Sequence, residues 1–400
     1  MILKIFLTFL LVLGFVAISA QPPKPIPGQY IVVLKESVAK PVILQQQKST
    51  SRDQKAQLNK STRDKNLAIV RQVYKSQNIS QSSVLAEYAD VICGFAAKLT
   101  NEEVAKLKAD KNVGMIYPDY EIQMIPPVYE EPSHEHLIDQ QTSCAVSTAG
   151  GPIDGSSKPT WIWILDTGID ASHPDLNVQK NSPFAVSFIS GQTWADGKGH
   201  GTHCAGIAAA RNNNIGVVGV SAGAKVVPVK VLDNTGHGSW SSLISGLNHV
   251  AIYDIPNDVV SMSLGGCCVS NCETYLPALR DIIHHLGNAG TWVVMAAGND
   301  YGDAGRNIPG CINGTKIYTV GSISCNKVAS DFSNFNPSVV DWVAVGETVF
   351  STLPGGGYGN KSGTSMATPV VAGIIHARGA APVSGGTVNC DGNNYPIAHR

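Results

Sequence analysis

The sequence is short of charge and of long apolar runs. Asp, Glu, Lys and Arg together make up 15% of its 400 residues, and the formal net charge is −1. This balance supplies no electrostatic attraction for nucleic acid or for an anionic membrane surface. After residue 20 no segment is apolar for long enough to span a bilayer. We therefore expect no nucleic-acid partner, and no membrane contact once the N-terminal segment is removed.

The first twenty residues differ from the rest. Lys4 is followed by an apolar stretch over 5–13, and small residues gather at Ala17, Ser19 and Ala20. This order is typical of a secretory signal peptide, here over residues 1–20. An uncleaved membrane anchor is the alternative, but the apolar stretch is short for a bilayer. The mature protein is expected to be secreted, extracellular and monomeric.

The cysteine content is consistent with export. Disulfides persist in oxidising compartments, and an odd number of cysteines leaves at least one thiol unpaired within the chain. Spacing alone does not determine which cysteines pair. The nine are Cys93, Cys144, Cys204, Cys267, Cys268, Cys272, Cys311, Cys325 and Cys390.

Residues 21–125 have the pattern of a small α+β domain. Strand-type and helical stretches follow the order β-α-β-β-α-β, which predicts a ferredoxin-like sandwich. Thr100 and Glu103 form a capping box that begins the second helix. The predicted elements are strand Tyr30–Leu34, helix Lys55–Tyr74, strands Val84–Tyr88 and Val91–Leu99, the helix after Thr100, and strand Val113–Tyr117.

A polar connection follows, and residues 126–157 are predicted to be a linker and the N-terminal segment of the next domain. Pro126, Pro127 and Pro132 mark a boundary that proteases can reach. His134 and His136 could bind a metal ion, but a solvated linker is the simpler explanation.

Residues 158–400 alternate between strands, glycine-rich turns and helices. Fully apolar strands separated by helices predict an α/β domain with a doubly wound parallel sheet, whose working residues lie at the carboxyl ends of the strands. The predicted strands are Trp161–Leu165, Val226–Val231, Val259–Leu264 and Trp292–Met295, and the predicted helices are Thr202–Ala210, Ser239–Ile252 and Thr274–Leu286.

Three polar residues occupy such positions. Asp166 ends the first strand, and His200 and Ser365 each open a helix. Each has a simpler explanation when taken alone. Asp166 could be a turn residue, His200 could form a metal-binding pair with His203, and Ser365 could be a helix N-cap. No second Asp-Thr-Gly exists to make an aspartic protease dyad. The two histidines also lack the spacing and the acid of a His-Glu-x-x-His zinc motif.

Taken together, the three residues favour one chemistry. Their order, Asp then His then Ser, is the subtilisin order, whereas an α/β-hydrolase would place serine first. Residues 363–367 also lack the last glycine of the hydrolase nucleophile elbow. With these flanks the chain resembles a secreted subtilase, and residues 21–125 resemble the family's inhibitor propeptide through the stretches 94–99 and 116–119.

The resemblance implies roles for these residues. Ser365 would be the nucleophile, His200 the general base and Asp166 its orienting partner. Residues 296–299 are similar to the family's oxyanion loop, which makes Asn299 a side-chain donor. Two segments resemble the edges that pair with a substrate backbone: Ser263, Leu264 and Gly265, and opposite them Gly236, Gly238 and Trp240. Trp240 could instead be a packed surface aromatic.

A calcium site is also implied. The segment 211–219 resembles the calcium loop of true subtilisins, and Ca²⁺ prefers six to eight oxygen ligands. The expected ligands are the side chains of Asp175 and Asn213 and the carbonyls of Arg211, Ile215 and Val217. An asparagine-rich loop without metal is the alternative. Residues 128–160 depart from the family pattern, so no ligand is predicted there.

The flank of Cys204 resembles proteinase K-like enzymes, in which this cysteine is a buried free thiol beneath the histidine. A separate Cys-His catalytic pair is the alternative. Pairings of the other cysteines are guesses: Cys311 with Cys325, Cys144 with Cys390, and Cys272 with Cys267 or Cys268. The tail after Ser365 is shorter than is usual in the family, which puts its last helices in doubt.

The function implied is a secreted endopeptidase that cleaves protein and peptide substrates through an acyl-enzyme. Its catalytic domain would span 158–400, and its own propeptide would act as intramolecular inhibitor and folding aid. Autoprocessing is expected between Met124 and Ser143. The alternatives are a catalytically inactive subtilase fold that binds other proteins, and a lipase or esterase.

Overall fold

The computed structural model describes residues 24–41, 51–130, 139–266 and 271–400. The predicted signal peptide and the linker residues His134 and His136 lie outside these ranges, as do Cys267 and Cys268. Within the described ranges, none of the helices combines the length and the apolar character that crossing a bilayer requires.

The N-terminal domain is the predicted sandwich. Its four-stranded antiparallel sheet has the order β4-β1-β3-β2, and the helices cover one face. The Thr100–Glu103 capping box is present. The first predicted helix is divided in two at Asn59. The elements are β1 (Pro25–Leu34), α1 (Arg52–Leu58), α2 (Lys60–Ser76), β2 (Val84–Ala89), β3 (Cys93–Lys98), α3 (Asn101–Ala109) and β4 (Val113–Met124).

The two faces of this sheet bury different partners, because successive strand residues point to opposite sides. Val32 and Leu34 of β1 face the helices and belong to the domain's own core. Ile31 and Val33 face the other way, into a core shared with the C-terminal domain. The small domain is therefore bound through a whole apolar sheet face.

The C-terminal domain has fifteen further described strands before its last helix, and two more form a hairpin after that helix. In order the elements are β5 (Tyr129–Glu130), α4 (Cys144–Thr148), β6 (Ile153–Asp154), β7 (Ile162–Asp166), β8 (Asn177–Val178), β9 (Val186–Ser187), α5 (His200–Ala209), β10 (Ser221–Ala222), β11 (Lys225–Lys230), β12 (His237–Ser239), α6 (Trp240–Tyr253), β13 (Val259–Met262), β14 (Leu264–Gly265), α7 (Cys272–Tyr275), α8 (Pro277–Ala289), β15 (Trp292–Ala296), β16 (Ile317–Ile323), β17 (Trp342–Val345), β18 (Val349–Leu353), β19 (Gly357–Ser362), α9 (Thr364–Arg378), β20 (Val383–Cys390) and β21 (Asn393–His399).

The main sheet has the order β8-β11-β7-β13-β15-β16-β17-β21-β20 and is parallel except at β20. Helices α5 and α9 pack together on one face, and α6 and α8 cover the other. The doubly wound α/β prediction is confirmed. Strand order reverses beside β7, so the ends of β7 and β13 form the crevice where such sheets place ligands.

The end of the chain was not predicted. After α9 the strands β20 and β21 form an antiparallel hairpin, and β21 extends the parallel sheet through the pair Val343 and Ile397. The sequence left the last helices of the chain in doubt. In the structure an apolar face of this hairpin covers the edge of the sheet instead.

The guessed disulfides are wrong. Cys144 bonds Cys325 and Cys272 bonds Cys311, each across a Cα–Cα distance of 5.9 Å. The partners are 181 and 39 residues apart in sequence, so only the packing of the elements brings them together. Cys204 is buried and free, as predicted, and Cys93 and Cys390 are free as well.

Candidate active site

The carboxyl end of β7 and the first residue of α5 form a buried acid–base pair. Asp166 and His200 are each 1% exposed. His200 Nδ1 lies 2.8 Å from Asp166 Oδ1 and 2.9 Å from Oδ2. A carboxylate in this position fixes the tautomer that carries hydrogen on Nδ1 and leaves Nε2 able to accept a proton.

Asp196 holds the start of α5 and was not predicted from sequence. The residue before the helix, Gly199, has a φ of 91° and no side chain to cap it. Asp196 Oδ2 instead accepts from Thr202 N at 2.9 Å, and Oδ1 accepts from Gly199 N at 2.7 Å. It also accepts from Thr167 Oγ1 at 2.9 Å, next to Asp166. An acidic residue four positions before His200 is the only sequence signal for this role.

Ser365 is the second residue of α9 and is fully buried. Gly363 precedes the helix, and a Cβ there would lie 2.9 Å from Asn299 Nδ2. That position must therefore stay free of a side chain for Asn299 to approach the serine.

Pro369 lies in the second turn of α9. A proline inside a helix removes the hydrogen bond to the carbonyl four residues earlier, here that of Ser365. This carbonyl is satisfied from outside the helix, by Ser263 Oγ at 2.9 Å and by the thiol of Cys204 at 3.5 Å. The carbonyl of Ser365 is thereby bonded to the residue that follows β13 and to α5.

The serine hydroxyl donates to the segment in the site and not to the histidine. Ser365 Oγ donates to the carbonyl of Ile125 at 3.0 Å, and the carbonyl of Ser263 lies at 3.3 Å. His200 Nε2 is buried without a hydrogen-bond partner among the described residues. The segment that fills the site has taken the place of the serine–histidine hydrogen bond.

Asn299 follows β15 and faces the same centre. Its Oδ1 accepts from Thr364 N at 2.9 Å and from Thr364 Oγ1 at 2.8 Å, which fixes the amide orientation. Its Nδ2 donates to the carbonyl of Pro126 at 2.9 Å. The amide is thus oriented as a donor toward a peptide carbonyl beside Ser365.

The end of β4 lies between the two predicted substrate edges. Ile122 pairs with Gly238 of β12, and Gln123 pairs with Gly265 of β14. The ladder continues as Met124 N donates to Gly236 O at 2.9 Å. Ile125 N then donates to Ser263 O at 3.2 Å. Leu264 pairs with Met124, and Trp240 is fully buried in the core that contains Ile122.

Beyond the serine the chain runs along a third edge. Val128 N donates to Ser362 O at 2.7 Å, and Glu130 pairs with Lys361 of β19. Lys361 Nζ also forms an ion pair with Glu130 Oε1 at 2.8 Å. Burial of Glu130 opposes its ionisation, but the Lys361 ion pair outweighs this effect and the pKa of the Glu130 carboxyl is lowered.

The two sides of the cleft hold the segment in registers that differ by one residue. Ser365 Oγ contacts the carbonyl of Ile125, whereas Asn299 Nδ2 contacts that of Pro126. In acyl transfer one carbonyl must meet both the nucleophile and the oxyanion donor. The bonds after both carbonyls also end at a proline nitrogen, Pro126 or Pro127. Residues 125–127 therefore occupy the centre in an arrangement that is not poised for attack.

His203 and Cys204 do not form a second reaction centre. His203 Nε2 lies 3.0 Å from Gly359 O, and burial lowers its pKa to about 3. The potential ligand atoms of Cys204, Asp166 and His200 all lie within 4.8 Å of one another. Burial raises the pKa of the Cys204 thiol well above the usual value, so it keeps its proton. A thiolate nucleophile or ligand is disfavoured here.

The predicted calcium residues lie together around Asp175. Asp175 Oδ2 accepts from Val217 N at 3.0 Å, while its buried Oδ1 has no hydrogen-bond partner among the described residues. Burial raises its pKa to about 6. Arg211 N donates to Asp175 O at 2.8 Å, and Ile215 N donates to Asn213 Oδ1 at 3.2 Å. A buried carboxyl oxygen lacking a donor fits a hard cation.

Gln140 also reaches this loop, although no residue of 128–160 was predicted there. Its Oε1 accepts from Asn213 N at 2.7 Å and from Asn214 N at 2.9 Å. Its Nε2 donates to Asn212 Oδ1 at 2.9 Å. A glutamine in an otherwise unpatterned segment carries no sequence signal for this contact.

A family model described as the subtilase family matches residues 157–377, and one described as peptidase inhibitor I9 matches residues 29–124. A cuticle-degrading protease from Metarhizium anisopliae is 38% identical over 72% of this chain and 71% of its own. Subtilisin E from Bacillus subtilis is 37% identical over 70% and 68%. A solved structure titled as a cold adapted subtilisin-like serine proteinase is 33% identical over 56% of this chain and 76% of its own, with a TM-score of 0.48.

Proposed function

Because this chain belongs to the subtilase family of serine endopeptidases and carries an inhibitor-type propeptide, we propose that Asp166, His200 and Ser365 hydrolyse the peptide bonds of protein substrates. The observation that supports this most is the peptide strand between β12 and β14. The carbonyls just after this strand, those of Ile125 and Pro126, accept from Ser365 Oγ and Asn299 Nδ2, and His200 is paired with the buried Asp166.

In the first half-reaction Ser365 Oγ attacks the carbonyl carbon of the substrate. His200 Nε2 takes the hydroxyl proton, and Asp166 stabilises the imidazolium through Nδ1. The negative oxygen of the tetrahedral intermediate accepts from Asn299 Nδ2 and from the Ser365 backbone N–H. His200 then gives the proton to the leaving amine, the C–N bond breaks, and an acyl-enzyme remains.

In the second half-reaction water replaces the amine. His200 Nε2 takes a proton from the water as it attacks the ester carbonyl, the same donors stabilise the oxyanion, and the proton returns to Ser365 Oγ. The cleaved acid leaves and the resting enzyme is restored. The main-chain ladder with Gly236, Gly238, Ser263 and Gly265 orients any extended peptide, with Leu264 and Trp240 beside its side chains.

The protein is proposed to be made as a secreted, monomeric precursor. Its propeptide, residues 21–125, would inhibit the enzyme in the same chain and aid its folding, and the first cut would fall between Met124 and Ser143. The ladder formed by β4 in the cleft supports the inhibitory role. The two disulfides agree with an oxidising compartment.

A structural calcium ion is proposed at Asp175, with Asn213 and the carbonyls of Arg211, Ile215 and Val217 as its other ligands. The unpartnered Oδ1 of Asp175 supports it. When bound, the ion would supply positive charge that stabilises the ionised carboxylate and the loop. The chemistry of hydrolysis does not depend on it.

The test of the nucleophile is Ser365→Ala in the full-length chain. We expect peptide hydrolysis to fall by about 10⁶-fold, the size of effect known for the nucleophile in subtilisin, and an unprocessed precursor to accumulate. Ser384→Ala, on the exposed final hairpin, is the matched control and should be processed normally.

A fluorophosphonate probe separates the remaining alternatives. The matured wild-type protein should form one adduct, on Ser365. Undiminished hydrolysis by Ser365→Ala would contradict the assignment. A matured protein that forms no adduct would favour the inactive binding fold, and one that cleaves acyl esters but no peptides would favour an esterase.

A further inference from the structure

Arg52 opens helix α1 of the propeptide, yet its side chain is buried in the catalytic domain. It is only 7% exposed, although most helix-start arginines of a polar segment would be solvated. The backbone before it is capped normally, as Gln54 N donates to Ser51 Oγ at 3.4 Å. The burial therefore reflects what the guanidinium contacts outside its own domain.

Both terminal nitrogens of the guanidinium donate hydrogen bonds to the catalytic domain. The guanidinium pairs with both carboxylate oxygens of Asp258, through Nη1 to Oδ2 and through Nη2 to Oδ1, the latter at 2.8 Å. Nη1 also donates to Tyr253 O at 3.1 Å, and Nη2 donates to Pro159 O at 3.1 Å. This two-point pairing matches the planar fork of arginine and not the single charged nitrogen of lysine.

An aromatic wall completes the contact. The central carbon of the Arg52 guanidinium lies 3.6 Å from the ring centroid of Trp161 and 5.8 Å from that of Trp163. Stacking of a guanidinium on tryptophan adds a cation–π attraction, which is stronger where water is excluded. We call this set of groups the guanidinium pocket: Asp258, Trp161, Trp163 and the carbonyls of Pro159 and Tyr253.

The pocket is built by the catalytic domain alone. Asp258 also accepts from Trp163 Nε1 at 2.8 Å and from Trp161 N at 2.9 Å. Ile255 N donates to the same carboxylate at 3.3 Å. Burial raises the pKa of Asp258, and the Arg52 charge opposes that rise. The carboxylate is thus held in place by donors that remain when Arg52 leaves, but its charge is then uncompensated.

The pocket is also remote from the reaction centre. Trp161 and Asp258 come just before β7 and β13, whereas Asp166 and Ser263 lie at the opposite ends of these strands. At about 3.3 Å per strand residue, the separation is on the order of 15 Å. The propeptide reaches both ends of the sheet at once.

We infer that the guanidinium pocket is a second binding site of the catalytic domain, selective for guanidinium groups. Arg52 fills it in the precursor. The next step rests on the proposed function. Release of the propeptide opens the guanidinium pocket to an arginine side chain of another protein. That arginine would dock in the pocket while an extended segment of the same protein enters the cleft. A buried carboxylate that loses its partner is left with an uncompensated charge, so binding of another cation of the same shape is favourable.

Chemical rescue in the full-length Ser365→Ala chain tests the pocket without any need for hydrolysis. Arg52→Ala should remove protection of residues 52–58 from hydrogen exchange and lower the melting temperature. Millimolar n-propylguanidinium should restore the melting temperature saturably, whereas n-propylammonium should not. Arg52→Lys should behave like Arg52→Ala, because an ammonium cannot make the paired contact.

Arg71→Ala is the matched control. Arg71 pairs with Glu87 within the propeptide, at 2.8 Å and 47% exposed, so its loss should leave residues 52–58 protected and show no rescue. Equal effects of the two additives, or equal rescue of Arg71→Ala, would overturn the inference. If Arg52→Ala does not fold, propylguanidinium present during refolding should raise its recovery over propylammonium, and equal recovery would count against the pocket.

A second readout addresses the mature wild-type enzyme. Propylguanidinium should change tryptophan emission saturably, because Trp161 and Trp163 line the pocket, while kcat and KM for a short peptide stay unchanged. Competitive inhibition over the same concentration range would place the guanidinium in the cleft and overturn the inference. If the protein shows no hydrolysis at all, the proposed function fails but the rescue experiment still decides the pocket.

Discussion

The propeptide contacts the catalytic domain at two places that differ in chemistry. In the cleft, β4 is held through backbone hydrogen bonds to β12 and β14, which any extended peptide can form. In the guanidinium pocket, one side chain meets a fully buried carboxylate. Substrate peptides can compete with β4 for the backbone hydrogen bonds of the ladder. The pocket, by contrast, selects its occupant by the charge and shape of a side chain. A substrate peptide can therefore displace β4 without displacing Arg52.

The two contacts should also respond differently to substitution. A ladder spreads its energy over many backbone groups, so no single side chain carries it. A buried ion pair is different, because removal of one partner leaves a buried charge and costs about 3–5 kcal/mol. Variants at the reaction centre, at the cleft edges and away from both can separate these contributions.

The largest expected effect separates reactivity from binding. Asp166→Asn should lower kcat by about 10⁴-fold, because an amide favours the wrong tautomer of His200. The ladder and the pocket do not involve Asp166, so the propeptide should stay bound. Peptide hydrolysis measures reactivity, and hydrogen exchange at residues 52–58 and 121–125 of the precursor measures the two contacts. Loss of protection in both segments of this variant would show that the two contacts depend on the triad.

Asn299→Ala should have the next largest effect. It removes the side-chain donor of the oxyanion, which costs about 3–4 kcal/mol in subtilisin, or 10²–10³-fold in kcat, with KM little changed. Asn389→Ala, on the exposed final hairpin, is the control. A rise in KM with unchanged kcat would instead assign Asn299 to ground-state binding of the peptide.

Removal of calcium should affect stability and leave both propeptide contacts intact. A ligand bound only to the folded state stabilises it by mass action, so a chelator should lower the melting temperature by several degrees. Asp175→Ala should have a lowered melting temperature that the chelator no longer changes, while the exposed Asp331→Ala should respond like wild type. Identical melting curves with and without chelator in the wild type would exclude the ion.

The smallest effect is expected from a substitution at Glu130, where the segment that follows β4 leaves the cleft. Glu130 is 44% exposed, and exposed ion pairs contribute about 0–1 kcal/mol. Glu130→Gln in the Ser365→Ala precursor should therefore raise hydrogen exchange at residues 128–130 only slightly and leave residues 121–125 protected. Glu102→Gln, which breaks the surface pair with Lys106, is the control. Loss of protection along all of 121–130 would mean that the ion pair anchors the whole segment.

Local patterns predicted much of the molecule. The alternation in β1, the capping box at Thr100 and the apolar strands of the parallel sheet depend on residues close in sequence, so their geometry could be inferred directly. The residues around Asp166, His200 and Ser365 also identified these three side chains, because each motif consists of residues adjacent in sequence. Each sits at an element end whose position in a doubly wound sheet follows from topology.

Other features depend on which distant elements touch. Arg52 and Asp258 are 206 residues apart, and nothing around either residue indicates the other. The disulfide partners, the support of α5 by Asp196, the position of Gln140 and the one-residue register difference over 125–127 are of the same kind. Periodicity determines the face a side chain occupies, but the packing of whole domains decides what lies opposite that face. The sequence by itself thus determined the fold class and the reacting groups, and only the tertiary structure decided how the precursor holds itself closed.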